Sequence, residues 1–192
     1  MLTPTFSIEP LFMLKEIQNR RSIRKYLPKD VDDELILQLL ASARYAPSGS
    51  NTQPWHFLIV RDKNRQSKIV RANHNQTWML TAPVFIVCAA DINTRITNDT
   101  TNIILDENCA LPELKLIIRD SAIAIEHIVL EAEHLGIATC WTAWFDQDEM
   151  KKAINAPTNL YICAVLTVGF ADEAPAPRPR KKLIDLINYE NW

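Results

Sequence analysis

Glycine is scarce in this sequence: three residues in 192, Gly49, Gly136 and Gly169. No two are close enough to write a GxGxxG fingerprint or a phosphate-cradling loop, which excludes a Rossmann dinucleotide domain and a P-loop nucleotidase. No apolar run reaches the roughly 18 residues that cross a bilayer. The first twenty residues lack the basic start and continuous apolar stretch of a signal peptide, so the expected setting is the cytoplasm, with no membrane partner. The four cysteines, at 88, 109, 140 and 163, form no CxxC pair. Cys88, Cys140 and Cys163 sit in apolar runs and read as small buried hydrophobes in preference to a Cys-His nucleophile. Charge of one sign is missing too. Lys plus Arg number 21 against 23 Asp plus Glu, a net of -2, so no global basic field points to nucleic acid.

What is present is an ordinary folded composition, 47% hydrophobic and 23% charged. The length suits one domain over 1–192, with 1–13 as an N-terminal extension. A helix is expected at about 11–19. Pro28 forbids helix, and Asp32 or Asp33 is placed to cap the next one, which runs to about 45 with Ile36, Leu39, Leu40 and Ala43 on one face. WHFLIV (55–60), VFIVCAA (84–90) and YICAVLTV (161–168) are continuous apolar runs of buried-strand type, and Ile137 to Trp141 is a shorter strand candidate. A polar helix is expected at about 64–73 and a short one at 146–154. The strongest helix is read at about 118–135, with Ala122, Ile125, Val129 and Ala132 on one face and Gly136 as its left-handed cap. Its apolar surface extends far round, which points to burial on several sides and to a dimer. Residues 91–117 carry no clear period and are expected to form a loop or lid. A last short helix is expected at about 183–188. The class is α+β, with four core strands covered by helices.

Few residues suggest metal or nucleophilic chemistry. Glu131 and His134 make a single ExxH where a di-iron bundle needs two, and Ser48-Gly49-Ser50 lacks the GxSxG elbow. The basic clusters are more informative. Arg20, Arg21, Arg24 and Lys25 lie within six residues; Arg178, Arg180, Lys181 and Lys182 lie within five at the far end of the chain. They are solvated charge, a nucleic-acid or localisation signal, or two proline-restrained loops that converge on one phosphate, since the planar guanidinium grips phosphate bidentately. Between them, Pro47 to Trp55 holds Asn51 and Gln53, each offering an acceptor and two donors, in a backbone restrained by two prolines. Such groups suit a conjugated heterocycle with urea-like edges.

RRSIRKY (20–26), APSGSNTQPWHFLIV (46–60), LGIATCW (135–141) and PRPRKKL (177–183), in this order, resemble the FMN-dependent nitroreductase family over about 20–187. The resemblance implies an α+β sandwich with a mostly antiparallel central sheet, an intertwined homodimer, and FMN at the dimer interface. It further implies that NADH or NADPH delivers a hydride to flavin N5, with nitroaromatics, quinones or related small molecules as acceptors. Reductive dehalogenation, flavin fragmentation and a non-catalytic flavin carrier are the alternatives on the same scaffold. By position, Arg20, Arg21, Ser22 and Arg24 match the N-terminal flavin loop, and Arg178 and Arg180 the C-terminal basic pair at the phosphate. Pro47, Ser48, Gly49, Asn51 and Gln53 match the loop that reaches the flavin, several of its members from the partner subunit. Asn75 matches a polar residue at the pyrimidine edge, and Ala143 and Trp144 the segment passing N5. No residue is expected to act as a catalytic acid, because the flavin carries the chemistry. Two positions depart from the family pattern. Trp78 stands where some members have a Lys near flavin N1, which leaves Arg24 to stabilise a reduced ring. Trp144 stands where Gly is common, which narrows the approach to N5.

Overall fold

The computed structural model describes residues 13–96 and 103–192; the expected N-terminal extension and the middle of the expected lid fall largely outside them. Four strands, β1 (Trp55–Val60), β2 (Val84–Asp91), β3 (Ala138–Thr142) and β4 (Leu160–Gly169), form one sheet in the order β1-β2-β4-β3. Every pairing is antiparallel. Antiparallel sheets commonly leave one face to water, but here both are covered, which is why the central strands are apolar throughout. Along β2, Val84, Ile86 and Cys88 enter one core while Phe85, Val87 and Ala89 enter the other. The first core is closed by α2 (Asp33–Ala43) and α4 (Pro112–His134). The second is closed by α3 (Lys63–Ala72), α5 (Gln147–Ile154) and the turn Thr77–Thr81.

β4 changes face within its length. Cys88 pairs with Ala164 but Ala89 pairs with Ile162, so Cys163 is an extra residue, a β-bulge. The bulge turns Ile162 into the second core and Ala164 into the first. It also carries the strand beyond β3, whose pairing ends at Thr142 with Val165. The edge left open is filled by a side chain. Buried Gln147 donates Nε2 to the Ile162 carbonyl at 2.7 Å and accepts the Ile162 N–H at 3.0 Å. One amide thus takes the place of a strand.

The longest helix begins six residues earlier than its expected start. Pro112 opens α4 at its first turn, where no intrahelical N–H is needed. Leu114 and Ile117 continue the buried stripe into a small third core with Ala90, Ile92 and Leu105. Residues 91–117 are therefore not one loop. β2 runs through Asp91, a turn occupies Ile92–Thr94, and the final six residues are helix. The stripe of α4 passes through Ser121, not Ala122, which is half-buried, and Ile123 is 40% exposed. Gly136 adopts the expected left-handed cap at φ 69°. Asp32 occupies the N-cap position of α2, but its side chain makes no capping bond; Arg61 holds Asp30, Asp33 and the Val31 carbonyl instead. The first helix, α1, is short, Lys15–Asn19. The closing turn Leu183–Leu186 is also brief and lies in a tail whose residues from Ala171 on are exposed except Ile187. Among the described residues no helix is long and apolar enough to cross a membrane.

The bulge makes a direct prediction. Gln147→Ala leaves the N–H and carbonyl of Ile162 buried without partners, and should lower the unfolding free energy by about 2–4 kcal/mol. Urea denaturation measures it; a loss under about 0.5 kcal/mol would show that Ile162 does not depend on Gln147.

Candidate active site

The N-terminal basic loop is held as an irregular extra edge of the sheet. Ser22 bridges Thr139 in parallel, with Ile23 N–H bonded to the Thr139 carbonyl at 3.0 Å, and Tyr26 bridges Ala171. Ile23 and Tyr26 are buried, and the Tyr26 hydroxyl reaches the Ile23 carbonyl and the Thr167 hydroxyl, each at 2.7 Å. With these two side chains pinned inward, Arg24 and Lys25 are exposed. The bridge from Tyr26 to Ala171 also fixes where the C-terminal tail leaves the body.

Arg20, Arg21, Ser22 and Arg24 consequently share one cleft with Pro175, Ala176, Arg178 and Arg180, a cavity of about 280 Å³. The two clusters, over 150 residues apart in sequence, do converge. None of these five arginines makes an ion pair among the described residues. The Arg21 guanidinium spends one nitrogen on the carbonyls of Gln18, Asn19 and Arg20, closing the end of α1. Arg180 leans on the carbonyls of Arg178 and Pro179. Nearby acids are otherwise engaged: Glu173 accepts the backbone N–H of Arg24, and Asp172 pairs with Lys25 at 2.7 Å. Five guanidinium groups around one small cleft outnumber the nearby carboxylate of Glu173 and suit an anion with several acceptor oxygens, and a phosphate dianion meets that description.

A chain of contacts leads away from the cleft. The Arg24 guanidinium lies 5.7 Å from the Trp78 ring centre. Trp78 Nε1 donates to Gln76, Gln76 to Asn73, and Asn73 to Thr142 at the end of β3. Ala143 and Trp144 follow directly, both exposed, and the Trp144 ring stacks on His74 with centres 4.3 Å apart. His74 and Asn75 both hold left-handed backbone, φ 50° and 55°. A chain of contacts through buried Asn73 and Thr142 thus links Arg24 and Trp78 to the segment that carries Ala143 and Trp144.

The third predicted group lies elsewhere. Pro47, Ser48, Gly49, Asn51 and Gln53 contribute nothing to the lining of the arginine cleft. Their loop follows α2 and is fastened to α4: Gly49 N–H donates to Asp120 at 3.1 Å, and Arg95 donates to the Gly49 carbonyl. Arg95 and Asp120 escaped the sequence reading. Their one visible signal was an acid and a base, far apart, each flanking an otherwise apolar stretch. Tyr26 was read only as part of a motif, and its anchoring role emerges from the fold.

A cysteine nucleophile finds no support. Burial pushes the Cys163 thiol up to about 12 and also raises those of Cys88 and Cys140, so all three stay protonated near neutral pH.

Comparison with known proteins shows the chain's family and fold. Residues 17–170 match the model of the nitroreductase family. An Archaeoglobus fulgidus protein with the provisional name NADH dehydrogenase/NAD(P)H nitroreductase is 31% identical, over 93% of this chain and 98% of its own length. A Bacillus subtilis protein named NAD(P)H FMN reductase is 27% identical over 88% of this chain and 69% of its own. The structure of NfrA2 from B. megaterium superposes with a TM-score of 0.82 at 27% identity, covering 93% of this chain and 74% of that one. Family and relatives together define an NAD(P)H-dependent oxidoreductase. The chain belongs to the nitroreductase family.

The raised thiols predict slow modification. At pH 8, Cys88 and Cys163 should resist a disulfide reagent such as Ellman's for as long as the protein is folded. All four thiols should react at once in guanidinium. Rapid native-state loss of either one would contradict their burial.

Proposed function

We propose that this chain is an FMN-dependent oxidoreductase that works as a homodimer and passes electrons from NAD(P)H to nitroaromatic, quinone or related small acceptors. The observation that carries the reading is the five-arginine cleft, linked through Arg24 to Trp78 and, by way of Gln76, Asn73 and Thr142, to the segment that carries Ala143 and Trp144. The donor set fits FMN: guanidinium forks for a phosphate near two negative charges, and polar groups beside exposed aromatic surface for a ring. FMN, when bound, supplies the hydride and electron chemistry between nicotinamide and acceptor.

The chain's own residues bind and orient. Arg20, Arg24, Arg178 and Arg180 neutralise the phosphate, while Arg21 and Tyr26 hold the loop that presents the first two. Arg24 also carries the positive charge nearest Trp78, and so offsets negative charge on a reduced ring in place of the lysine found in some relatives. Asn75 meets the pyrimidine edge. Trp144, braced by His74, restricts what approaches the ring. Because Pro47–Gln53 does not reach the cleft of its own chain, the reading assigns it to the flavin of a second copy, which makes the dimer part of the site. The exposed apolar side chains of the tail, Leu183, Ile184, Leu186, Tyr189 and Trp192, favour a partner surface too.

Three experiments test this. The purified protein should show flavin absorption bands, release FMN and not FAD on denaturation, and oxidise NADPH or NADH with menadione or nitrofurazone. A fully FMN-loaded protein without turnover would be a carrier instead. Arg180→Ala should weaken FMN binding by about 10- to 100-fold, as loss of one charge-assisted bond implies. Riboflavin, which has no phosphate, should bind parent and variant alike. Equal FMN affinity in both would remove Arg180 from the site. For assembly, light scattering at micromolar concentration should give twice the 22.0 kDa chain mass; a stable folded monomer would refute the dimer.

A further inference from the structure

We propose that Arg95 and Asp120 are positioning residues for flavin binding: a largely shielded ion pair that grips both backbone groups of Gly49 and so holds Pro47–Gln53 in its binding shape. This rests on the FMN reading above and extends it to two residues outside every motif. The pair closes at 2.9 Å, with side chains only 16% and 15% exposed. Asp120 Oδ2 accepts Gly49 N–H at 3.1 Å, and Arg95 Nη2 donates to Gly49 carbonyl at 3.1 Å. One residue's donor and acceptor are therefore both taken by a single ion pair. A Cβ at position 49 would lie 2.3 Å from Arg95 Nη2, so any side chain there displaces the guanidinium from its place. The closeness of the grip depends on glycine.

The loop needs such a grip. Ser50, Asn51 and Gln53 all hold left-handed backbone, φ 55°, 54° and 46°, a conformation that costs L-residues roughly 1–2 kcal/mol each and persists only where surroundings over-determine it. Inside the loop, Asn51 N–H bonds the Ser48 carbonyl, Thr52 N–H the Gly49 carbonyl, and Gln53 N–H the Ser48 hydroxyl. These bonds shape the loop but do not attach it to the body. Asp120 comes from the middle of α4 and Arg95 from the turn after β2, so the clamp ties the loop to the two elements that pack around the third core. A buried ion pair is a poor device for stability alone, since a well-packed apolar pair serves as well or better. Its charge also has an incomplete inventory of partners: Arg95 Nε is buried with none. The arrangement is understandable if what it secures is the loop's geometry.

Two variants test the proposal. Gly49→Ala adds one methyl group in an exposed loop and displaces Arg95 without touching α4. Asp120→Asn keeps the shape of the acceptor and removes its charge. For each, apo-protein melting reports folding, and flavin fluorescence titrations well below the melting point report affinity for FMN and for riboflavin. A positioning role predicts folded variants whose affinities for both flavins fall together, by about 10-fold or more. The FMN-to-riboflavin ratio should stay that of the parent, and the absorption band of the bound flavin should shift as ring contacts change. Arg180→Ala, by contrast, should change the ratio. Folded variants that bind both flavins as the parent does, with an unaltered spectrum, overturn the proposal. If Asp120→Asn fails to fold, Gly49→Ala decides alone. A parent that binds neither flavin overturns the proposed function, and this inference falls with it, an outcome distinct from parent binding with unaffected variants.

Discussion

The antiparallel pairing of β2 with β4, covered on both faces, is the constraint from which the rest of the molecule follows. Two strands buried on both sides have no surface for charge or for loops, so charged groups are expelled to the strand ends and the outer edges, and the few polar side chains inside, such as Thr167, are hydrogen-bonded. The helices α2 and α4 close one face and α3 and α5 the other, and each must be entered through a connection that lies at the rim. The arginine cleft, the Asn73–Trp78 turn and the Ala143–Trp144 segment are all such rim connections. The site is not carved out of the core. It is assembled from what the core cannot contain.

The edges show how such a sheet is finished. β3 is short, and its outer side is completed at one end by Ser22 and Ile23. Beyond its other end, the amide of Gln147 serves the bulged end of β4. Both devices supply backbone partners without adding a strand, in keeping with the rule that buried N–H and carbonyl groups go paired. The first also shapes the candidate site, because pairing Ser22 with Thr139 is what delivers the flanking arginines to the cleft. The same residues thus satisfy the sheet and present the charge.

Much of this was legible in sequence. The four strands are continuous apolar runs and were readable as such, and the cap at Gly136 marks where α4 stops. The boundary of α4 was not readable, because Lys115, Arg119 and Asp120 interrupt the apolar period in its first turns; only the third core, with Leu105 and Ile92, gives Leu114 and Ile117 a reason to be inside. The arginine clusters were visible as charge, and their convergence was expected from resemblance, but the fold supplies the reason, namely the bridge between Tyr26 and Ala171. The loop Pro47–Gln53 was singled out by composition. What holds it was invisible, since an ion pair between residues 25 apart, each unremarkable alone, leaves no local pattern.

The arginines at 178 and 180 stand in a tail that contributes almost nothing to the buried core. Their replacement therefore leaves the folding free energy nearly untouched, in contrast to changes at Tyr26, Gln147 or Asp120. The charge of the cleft and the packing that maintains the body thus rest largely on different residues. A change in the tail alters that charge and leaves the sheet beneath it as it is.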